Sequence, residues 1–392
     1  MELEKIETIE TESKKKLQRK IRLAHLLNNL GPAGKELGIL KLVENLNPEV
    51  FDTTLVVTNV VNSKGLLDLS RFKIIHLKMG KGNHFNLPLK LARIFKDSNF
   101  DLLHTHSWGT LIEGIVGAKL ARVPFIIHGE HGTFPMNFPH NYIQRVFWGL
   151  ADQVLSVSGE LSKRLSAVTH FPEDKIEVII NGVDERKFYP SQKLRIEFRE
   201  KFNFEETDFI VGIVGRLCHV KNQAMLVRSI AHLVRQGIGI KAVLIGDDLN
   251  KEKYQNRLEK LASELEVTKN IHFLGFNKDI NLILNGIDVF ALTSLSEGCS
   301  NVIQEAMFAG RVVIATNVGG NPELVRNNHT GILVESNNDA ELSEALKKLM
   351  EKPSELKRME QNAREYALKF FSLRKMVKSY EDIYVEAFNN GH

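Results

Sequence analysis

The sequence predicts two doubly wound α/β domains in series, each a parallel sheet with helices on both faces. Three observations carry this reading. Short apolar runs rich in Val, Ile and Leu recur along the chain, and most are continuous rather than alternating, as in strands buried on both faces. Amphipathic stretches of helical length, such as 87–97 and 109–121, separate the runs and make successive βα units. One charged stretch, 184–208, breaks the alternation, which then restarts.

The first series of strands reads IRLAHLL (21–27), TTLVVT (53–58), KIIHL (73–77), DLLHTH (101–106), VPFIIH (123–128), QVLSV (153–157) and IEVII (176–180). The second reads FIVGIVG (209–215), IKAVLIG (240–246), NIHFL (270–274), IDVFAL (287–292), RVVIAT (311–316) and GILV (331–334). After Lys221, the residues Met225, Leu226, Ile230, Leu233 and Val234 form one helical face, with Ser229 as its exception. The segment 184–208 has Pro190, many charges and no buried-strand run, so it reads as the passage between domains. The expected division is a charged tail over 1–19, a first domain over 20–190, a second over 191–370, and a terminal segment over 371–392.

Bulk properties narrow the function classes. A length of 392 residues suits two domains, and 43% hydrophobic with 26% charged residues fits a globular protein. A net charge of +4 gives no support to a dedicated nucleic-acid binder. Two cysteines, Cys218 and Cys299, cannot build a disulfide framework and read as reduced thiols of a cytoplasmic protein. The opening MELEKIETIE is acidic and lacks the apolar core of a secretory signal. No apolar run approaches the ~20 residues that span a bilayer. The basic SKKKLQRK that follows is either a solvated extension or a docking element for an anionic membrane surface.

Ligands of doubly wound sheets bind outside the carboxyl ends of the strands, so the residues after each strand hold the candidate chemistry. The most informative stretch is SLSEGCSNVIQEAMFAG (294–310). Ser300 or Asn301 is placed to cap a helix that Gly310 ends, with Glu297 before it and Glu305 within it. Unpaired amides at the helix start, from Gly298 and Cys299 through Ser300, Asn301 and Val302, suit a pyrophosphate. The two carboxylates would grip hydroxyls on either side of it. The bland alternative is a pair of surface glutamates. In VGRLCHVKN (214–222), Gly215 lets the backbone approach a ligand, and Arg216 and Lys221 would neutralise a diphosphate or else stay solvated. Gly31, Gly34 and Gly38 bracket a helix start after the first strand, as a phosphate-facing loop or a plain βα turn.

HTHSWG (104–109) and IHGEHGTF (127–134) end two strands. Their His104, His106, His128, Glu130 and His131 match no closed zinc spacing and read better as polar lining of a sugar pocket, with His128 a core histidine. No Asp-x-Asp triplet, Walker motif or full GxGxxG occurs, so no metal or resident cofactor is expected. The loop TFPMNFPHNYIQRVFW (133–148) is aromatic, and either packs as an ordinary helix or forms an apolar, membrane-facing edge flanked by Lys78, Lys81, Lys90 and Arg93.

Taken together, GEHG (129–132), EGCSNVIQEAM (297–307) and VGGNPELV (318–325) resemble glycosyltransferase family 4, of GT-B architecture, and within it the bacterial exopolysaccharide sugar transferases. The resemblance covers roughly residues 20–390. It implies two Rossmann-like domains, the first for acceptor and the second for sugar nucleotide, with a cleft between them. FFSLRKMVKSYEDIYVEAF (370–388) resembles the final helix that crosses back onto the first domain. Glu297 and Glu305 match the family's paired glutamates, and Arg216 and Lys221 match its phosphate clamp.

The resemblance further implies retaining transfer from a nucleoside-diphosphate sugar, UDP-sugar preferred, to a glycan or lipid-linked acceptor in cell-surface polysaccharide synthesis. His131, Arg216, Lys221 and Glu297 would serve catalysis. Gly31, Gly34, Gly215, Phe276 and the 298–302 turn would bind donor together with Glu305. His104, His106 and Glu130 would line the acceptor or sugar pocket with His131. The first loop departs from the family's Gly-Gly-Ala-Glu, since Pro32 removes an amide donor. A sugar-nucleotide epimerase or hydrolase, or a non-catalytic sugar-nucleotide-binding subunit, are the rival readings.

Overall fold

A computed structural model describes residues 19–31, 34–61, 67–80, 84–132, 137–248 and 253–390. The tail over 1–18, Pro32, Lys81 and residues 133–136 of the aromatic loop lie outside the described residues.

The first sheet comprises β1 (Ile21–Leu30), β2 (Phe51–Val61), β3 (Lys73–His76), β4 (Leu102–His106), β5 (Phe125–Glu130), β6 (Gln153–Ser156) and β7 (Ile176–Val178). Its order is β3-β2-β1-β4-β5-β6-β7, and all pairs are parallel. The helices between them are α1 (Gly34–Asn45), α2 (Leu87–Asp97), α3 (Trp108–Ala121), α4 (Phe138–Trp148) and α5 (Gly159–Thr169). The second sheet comprises β8 (Ile210–Val214), β9 (Lys241–Ile245), β10 (Ile271–Gly275), β11 (Val289–Leu292), β12 (Val312–Thr316) and β13 (Gly331–Val334). Its order is β10-β9-β8-β11-β12-β13, again all parallel. Around it lie α6 (Gln192–Lys201), α7 (Gln223–Arg235), α8 (Lys253–Glu264), α9 (Ile280–Gly286), α10 (Asn301–Phe308), α11 (Asn321–Leu324), α12 (Asp339–Glu351), α13 (Pro353–Phe370) and α14 (Leu373–Asn390). Strand order reverses between β1 and β4 in one sheet and between β8 and β11 in the other, which marks where ligand crevices open.

Every predicted strand forms. The segment 184–208 is more than a passage, because it folds as α6 against the second sheet's core. Phe198 of α6 is fully buried, and it fits because Gly286 of α9 has no side chain: a Cβ there would lie 2.0 Å from the Phe198 ring. One of the charges that hid this helix packs inward with it. Arg199 is buried, pairs with Asp288 at 3.0 Å and donates to the carbonyls of Glu206 and Asp208 at 3.1 and 3.0 Å. Ser229 also stays buried on the apolar face of α7, its hydroxyl 2.8 Å from each of the carbonyls of Met225 and Asp339, which share its one proton.

The last helix returns to the first domain. Leu373, Met376, Val377, Tyr380 and Tyr384 of α14 join the core made by β1, β4 and β5. Two backbone bonds pin the crossing, Val183 N to Phe371 O and Leu373 N to Val183 O, both 2.9 Å. The domains also touch directly: the Glu323 carboxylate accepts from the amides of Gly159 and Glu160 at 2.8 and 2.6 Å, at the start of α5. A carboxylate there meets unpaired amides and the positive end of the helix dipole.

Candidate active site at the interdomain cleft

The second domain's half of the site is built where the loops after β8 and β11 are stitched together. Leu295 N donates to Val220 O at 2.8 Å, and the Thr293 hydroxyl bonds the carbonyls of Lys221 and Asn222 at 3.0 and 2.9 Å. Glycine is required where β9 ends, since a Cβ on Gly246, at φ +143°, would lie 1.9 Å from the carbonyl oxygen of Gly215. The stitching brings Lys221 Nζ to 2.5 Å from Glu297 Oε1, and the Ser294 hydroxyl donates to the same oxygen at 2.5 Å. The two residues that sequence assigned to phosphate and to sugar thus form an ion pair. Arg216 is exposed and makes no ion pair among the described residues.

Under this pair lies a second tight turn. Gly320 N donates to Gly298 O at 3.1 Å, and a Cβ on Gly319, at φ +52°, would lie 1.9 Å from Glu297 O. The turn leads into α10, whose N-cap Ser300 is buried and makes no side-chain capping bond. The first amides of α10 are left for a ligand or solvent. Burial pushes the Glu305 carboxyl up to about 7, a rise that Lys41 of α1 opposes. Burial likewise pushes the Cys299 thiol up to about 12; its side chain packs against the cores of both domains, an inert filler at the seam. Phe276, just past β10, is half exposed.

The first domain's half is a network of neutral rings. His25 Nδ1 lies 2.9 Å from His106 Nε2, and His106 Nδ1 lies 2.9 Å from His131 Nε2. His104 Nδ1 lies 2.8 Å from the Tyr384 hydroxyl of α14. Gly129 makes room for these rings, since a Cβ there would lie 2.8 Å from His104 Nε2 and 3.3 Å from His131 Nε2. Burial lowers all four histidines, His25 and His131 to about 3 and the other two well below the usual imidazole range. Nearby Lys35 and the neighbouring rings push His131 the same way. Glu130 does not join them: it is buried and accepts from Gln144 at 2.8 Å, with His128 Nε2 at 2.9 Å. His128 has its other nitrogen 2.8 Å from the Thr105 hydroxyl, so it is a satisfied core histidine.

The halves meet along a seam. A Cβ on Gly298 would lie 3.1 Å from His131 O, so the absent side chain lets the Gly298 turn lie against the His131 turn. Asn181 Nδ2 donates to Asn301 Oδ1 at 2.9 Å across the same seam, and Gly34 sits beside Asn301. Among the described residues, no atom lies within 4 Å of the Cβ position of Gly31. Beside this seam a small pocket in the first domain is lined by Gly34, Lys35, His106, His131 and Asn181, with Tyr380 of α14. Sequence reasoning missed His25 and Tyr384. The signal for His25 was a lone polar residue in the run IRLAHLL; Tyr384 lies 280 residues from its partner His104, beyond any local pattern. His25, His104 and His106 place one ligand nitrogen each within 4.8 Å of one another. His106 already uses both nitrogens on neighbouring rings, and the cluster holds no carboxylate to offset a cation's charge.

Two parallel-sheet domains flanking a cleft, with a final helix returned to the first, define the GT-B class. Residues 195–366 match the model for glycosyl transferases group 1, and residues 38–187 match that for glycosyltransferase family 4. The chain belongs to glycosyltransferase family 4. It is 28% identical over 310 residues to an Escherichia coli UDP-Gal:alpha-D-GlcNAc-diphosphoundecaprenol alpha-1,3-galactosyltransferase, covering 76% of this chain and 78% of that one. It is 25% identical over 313 residues to the N-acetyl-alpha-D-glucosaminyl L-malate synthase of Bacillus anthracis, covering 76% and 78%. The fold matches Anabaena HepE, crystallised with UDP and glucose, at TM-score 0.82 and 22% identity over 93% of this chain and 99% of that one. At that identity the likeness shows the fold alone.

Proposed function

We propose that this glycosyltransferase moves a sugar, with retention of configuration, from a UDP-sugar to a lipid-linked or glycan acceptor in cell-surface polysaccharide synthesis, without a metal ion. The observation that carries this reading is the Lys221–Glu297 pair, set beside the open start of α10 and against the His131 turn. The E. coli relative, a galactosyltransferase acting from UDP-Gal on alpha-D-GlcNAc-diphosphoundecaprenol, supports UDP as the nucleotide and a polyprenyl-diphosphate-linked acceptor.

In the reaction the bond from sugar C1 to the leaving phosphate oxygen breaks, and a bond from C1 to the acceptor oxygen forms on the same face. The acceptor proton passes to the leaving phosphate. Charge grows on the diphosphate as the sugar becomes oxocarbenium-like, so fixed positive groups lower the barrier. Arg216, Lys221 and the first amides of α10 supply them. As the diphosphate draws Lys221 away, Glu297 is freed to accept from sugar hydroxyls. Glu305 holds the ribose, Phe276 borders the base, and His131 meets the sugar from the other domain. These cationic groups take the role a divalent ion would otherwise fill.

The acceptor side has a surface that fits a membrane. Phe85, Leu89, Phe138 and Tyr142 are exposed on and beside α2 and α4, with exposed Lys90, Arg93 and Arg145 among them. Apolar side chains ringed by cations suit an anionic lipid surface. Among the described residues no helix is long and apolar enough to cross a membrane, so contact would be peripheral.

Thermal unfolding with a panel of UDP-, GDP-, ADP- and TDP-sugars, with and without EDTA, tests the reading. A ligand of the folded state raises the Tm by mass action. UDP-sugars alone should raise it, EDTA should change nothing, and Arg216→Ala should weaken the shift. No shift with any sugar nucleotide would overturn the donor assignment.

A further inference from the structure

We infer that His25 and His106 are positioning residues that fix the tautomer of His131, so that His131 presents its Nδ1–H, a hydrogen-bond donor, at the end of a three-ring chain. This rests on the proposed place of His131 beside the donor sugar.

Three neutral imidazoles carry three N–H groups. The two contacts, His25 Nδ1 to His106 Nε2 and His106 Nδ1 to His131 Nε2, are both 2.9 Å, and each holds one proton. The third proton must then sit at one end, on His131 Nδ1 or on His25 Nε2. His106 has a single proton, so its choice of nitrogen sets both neighbours, and no arrangement with one proton per contact and one per ring mixes the two directions.

The ends differ. His25 is fully buried, and its Nε2 has no hydrogen-bond partner among the described residues. The Tyr384 hydroxyl is engaged by His104 Nδ1 at 2.8 Å. A proton on His25 Nε2 would therefore be a buried, unpaired N–H, and such orphan donors are rarer in folded proteins than under-satisfied acceptors. His131 is only partly buried and lines the small pocket beside Lys35. The chain is thus set to run from His25 Nδ1–H through His106 Nδ1–H, leaving the free donor on His131. Desolvation of His25, His106 and His131 keeps all three neutral near pH 7, as the count requires. A ring fixed this way serves as a donor to a sugar hydroxyl oxygen and not as a base toward the acceptor.

Imidazole nitrogen NMR on the ¹⁵N-labelled full chain near pH 7 tests the lock, with His131→Gln used to assign the ring. The expected spectrum has His131 protonated on Nδ1 and bare on Nε2. In His25→Leu the donor to His106 is lost, and His131 should show averaged nitrogens. Transfer should fall about tenfold, the scale of one lost hydrogen bond, with donor binding retained. His25→Asn, whose amide N–H₂ takes the place of Nδ1–H, should restore both the single tautomer and most of the rate. His131 protonated on Nε2 in the unaltered chain, or a tautomer unmoved in His25→Leu, would overturn the inference. If His25→Leu fails to fold, the unaltered spectrum and His25→Asn still decide it. A locked tautomer alongside a His131→Ala chain of full activity would instead leave the lock standing and refute the catalytic place of His131.

Discussion

The two halves of the site are made of opposite materials. The second domain offers charge on loops: Arg216 exposed, Lys221 held by Glu297, and a helix start with open amides. The first domain offers neutral rings fixed inside a sheet: His25, His104 and His106 are buried in β1 and β4, with His131 at their edge. Charge is useful where charge develops, on the departing diphosphate. Neutral, tightly packed donors are useful where a sugar must be oriented without attracting the nucleotide to the wrong place. The contrast also locates motion. The charged half contains an ion pair that a ligand must exchange, whereas the neutral half is bonded ring to ring and to α14 through Tyr384.

Substitutions should separate these roles. The largest effects are expected at the two cations, and Arg216→Ala, which removes one positive charge from the diphosphate, should cost about 2–4 kcal/mol in kcat/KM. Steady-state kinetics across UDP-sugar concentration would show it. A loss confined to KM would instead assign Arg216 to ground-state binding.

Next in size is a pH effect at Glu305, whose carboxyl is raised to about 7 by burial. Ribose hydroxyls need the ionised form as acceptor, so UDP-sugar binding should tighten as pH rises through about 7, with a proton released. The same raised value means that the folded chain holds a proton the unfolded chain has lost. This residue's contribution to stability therefore falls between the ordinary carboxyl range and about pH 7, then levels off. Glu305→Gln should flatten both dependences; calorimetry in buffers of different ionisation enthalpy would detect the proton.

A smaller change is expected at the seam. Glu323→Gln removes the charge that caps α5 from the other domain, worth about 0.3–1 kcal/mol. The expected result is a more open average shape in small-angle scattering, with a modest drop in Tm. The smallest effect concerns Cys299, whose thiol is pushed up to about 12 and sits between the two cores. Iodoacetamide at neutral pH should leave it unmodified in the folded chain; rapid labelling would mean that the seam opens widely.

Much of the fold was legible because continuous apolar runs and glycine-marked strand ends are local signals. The charged segment around α6 was not, because its Phe198 is buried against a glycine of α9 nearly ninety residues later. The charged half of the candidate site stands out by the same logic: Glu297, Glu305, Arg216 and Lys221 all lie within two short loop–helix motifs. The neutral half was only partly so. His104, His106 and His131 stand out at strand ends, but their bonding depends on His25 and Tyr384, which reach them through strand pairing and the returning helix. Glu130 looked equivalent to its neighbours, yet the alternation along β5 turns it toward Gln144 of α4 and His128. The Lys221–Glu297 contact was equally hidden, since 76 residues separate its partners.

The most direct test of the charged half is the turnover of Lys221→Ala with the UDP-sugar that gives the largest thermal shift, at saturating donor. The expected result is a fall in kcat on the order of 10²–10³, with nucleotide binding largely kept, because Lys221 acts mainly on charge that appears in the transition state. Near-normal turnover at saturating donor would contradict its role as the diphosphate clamp.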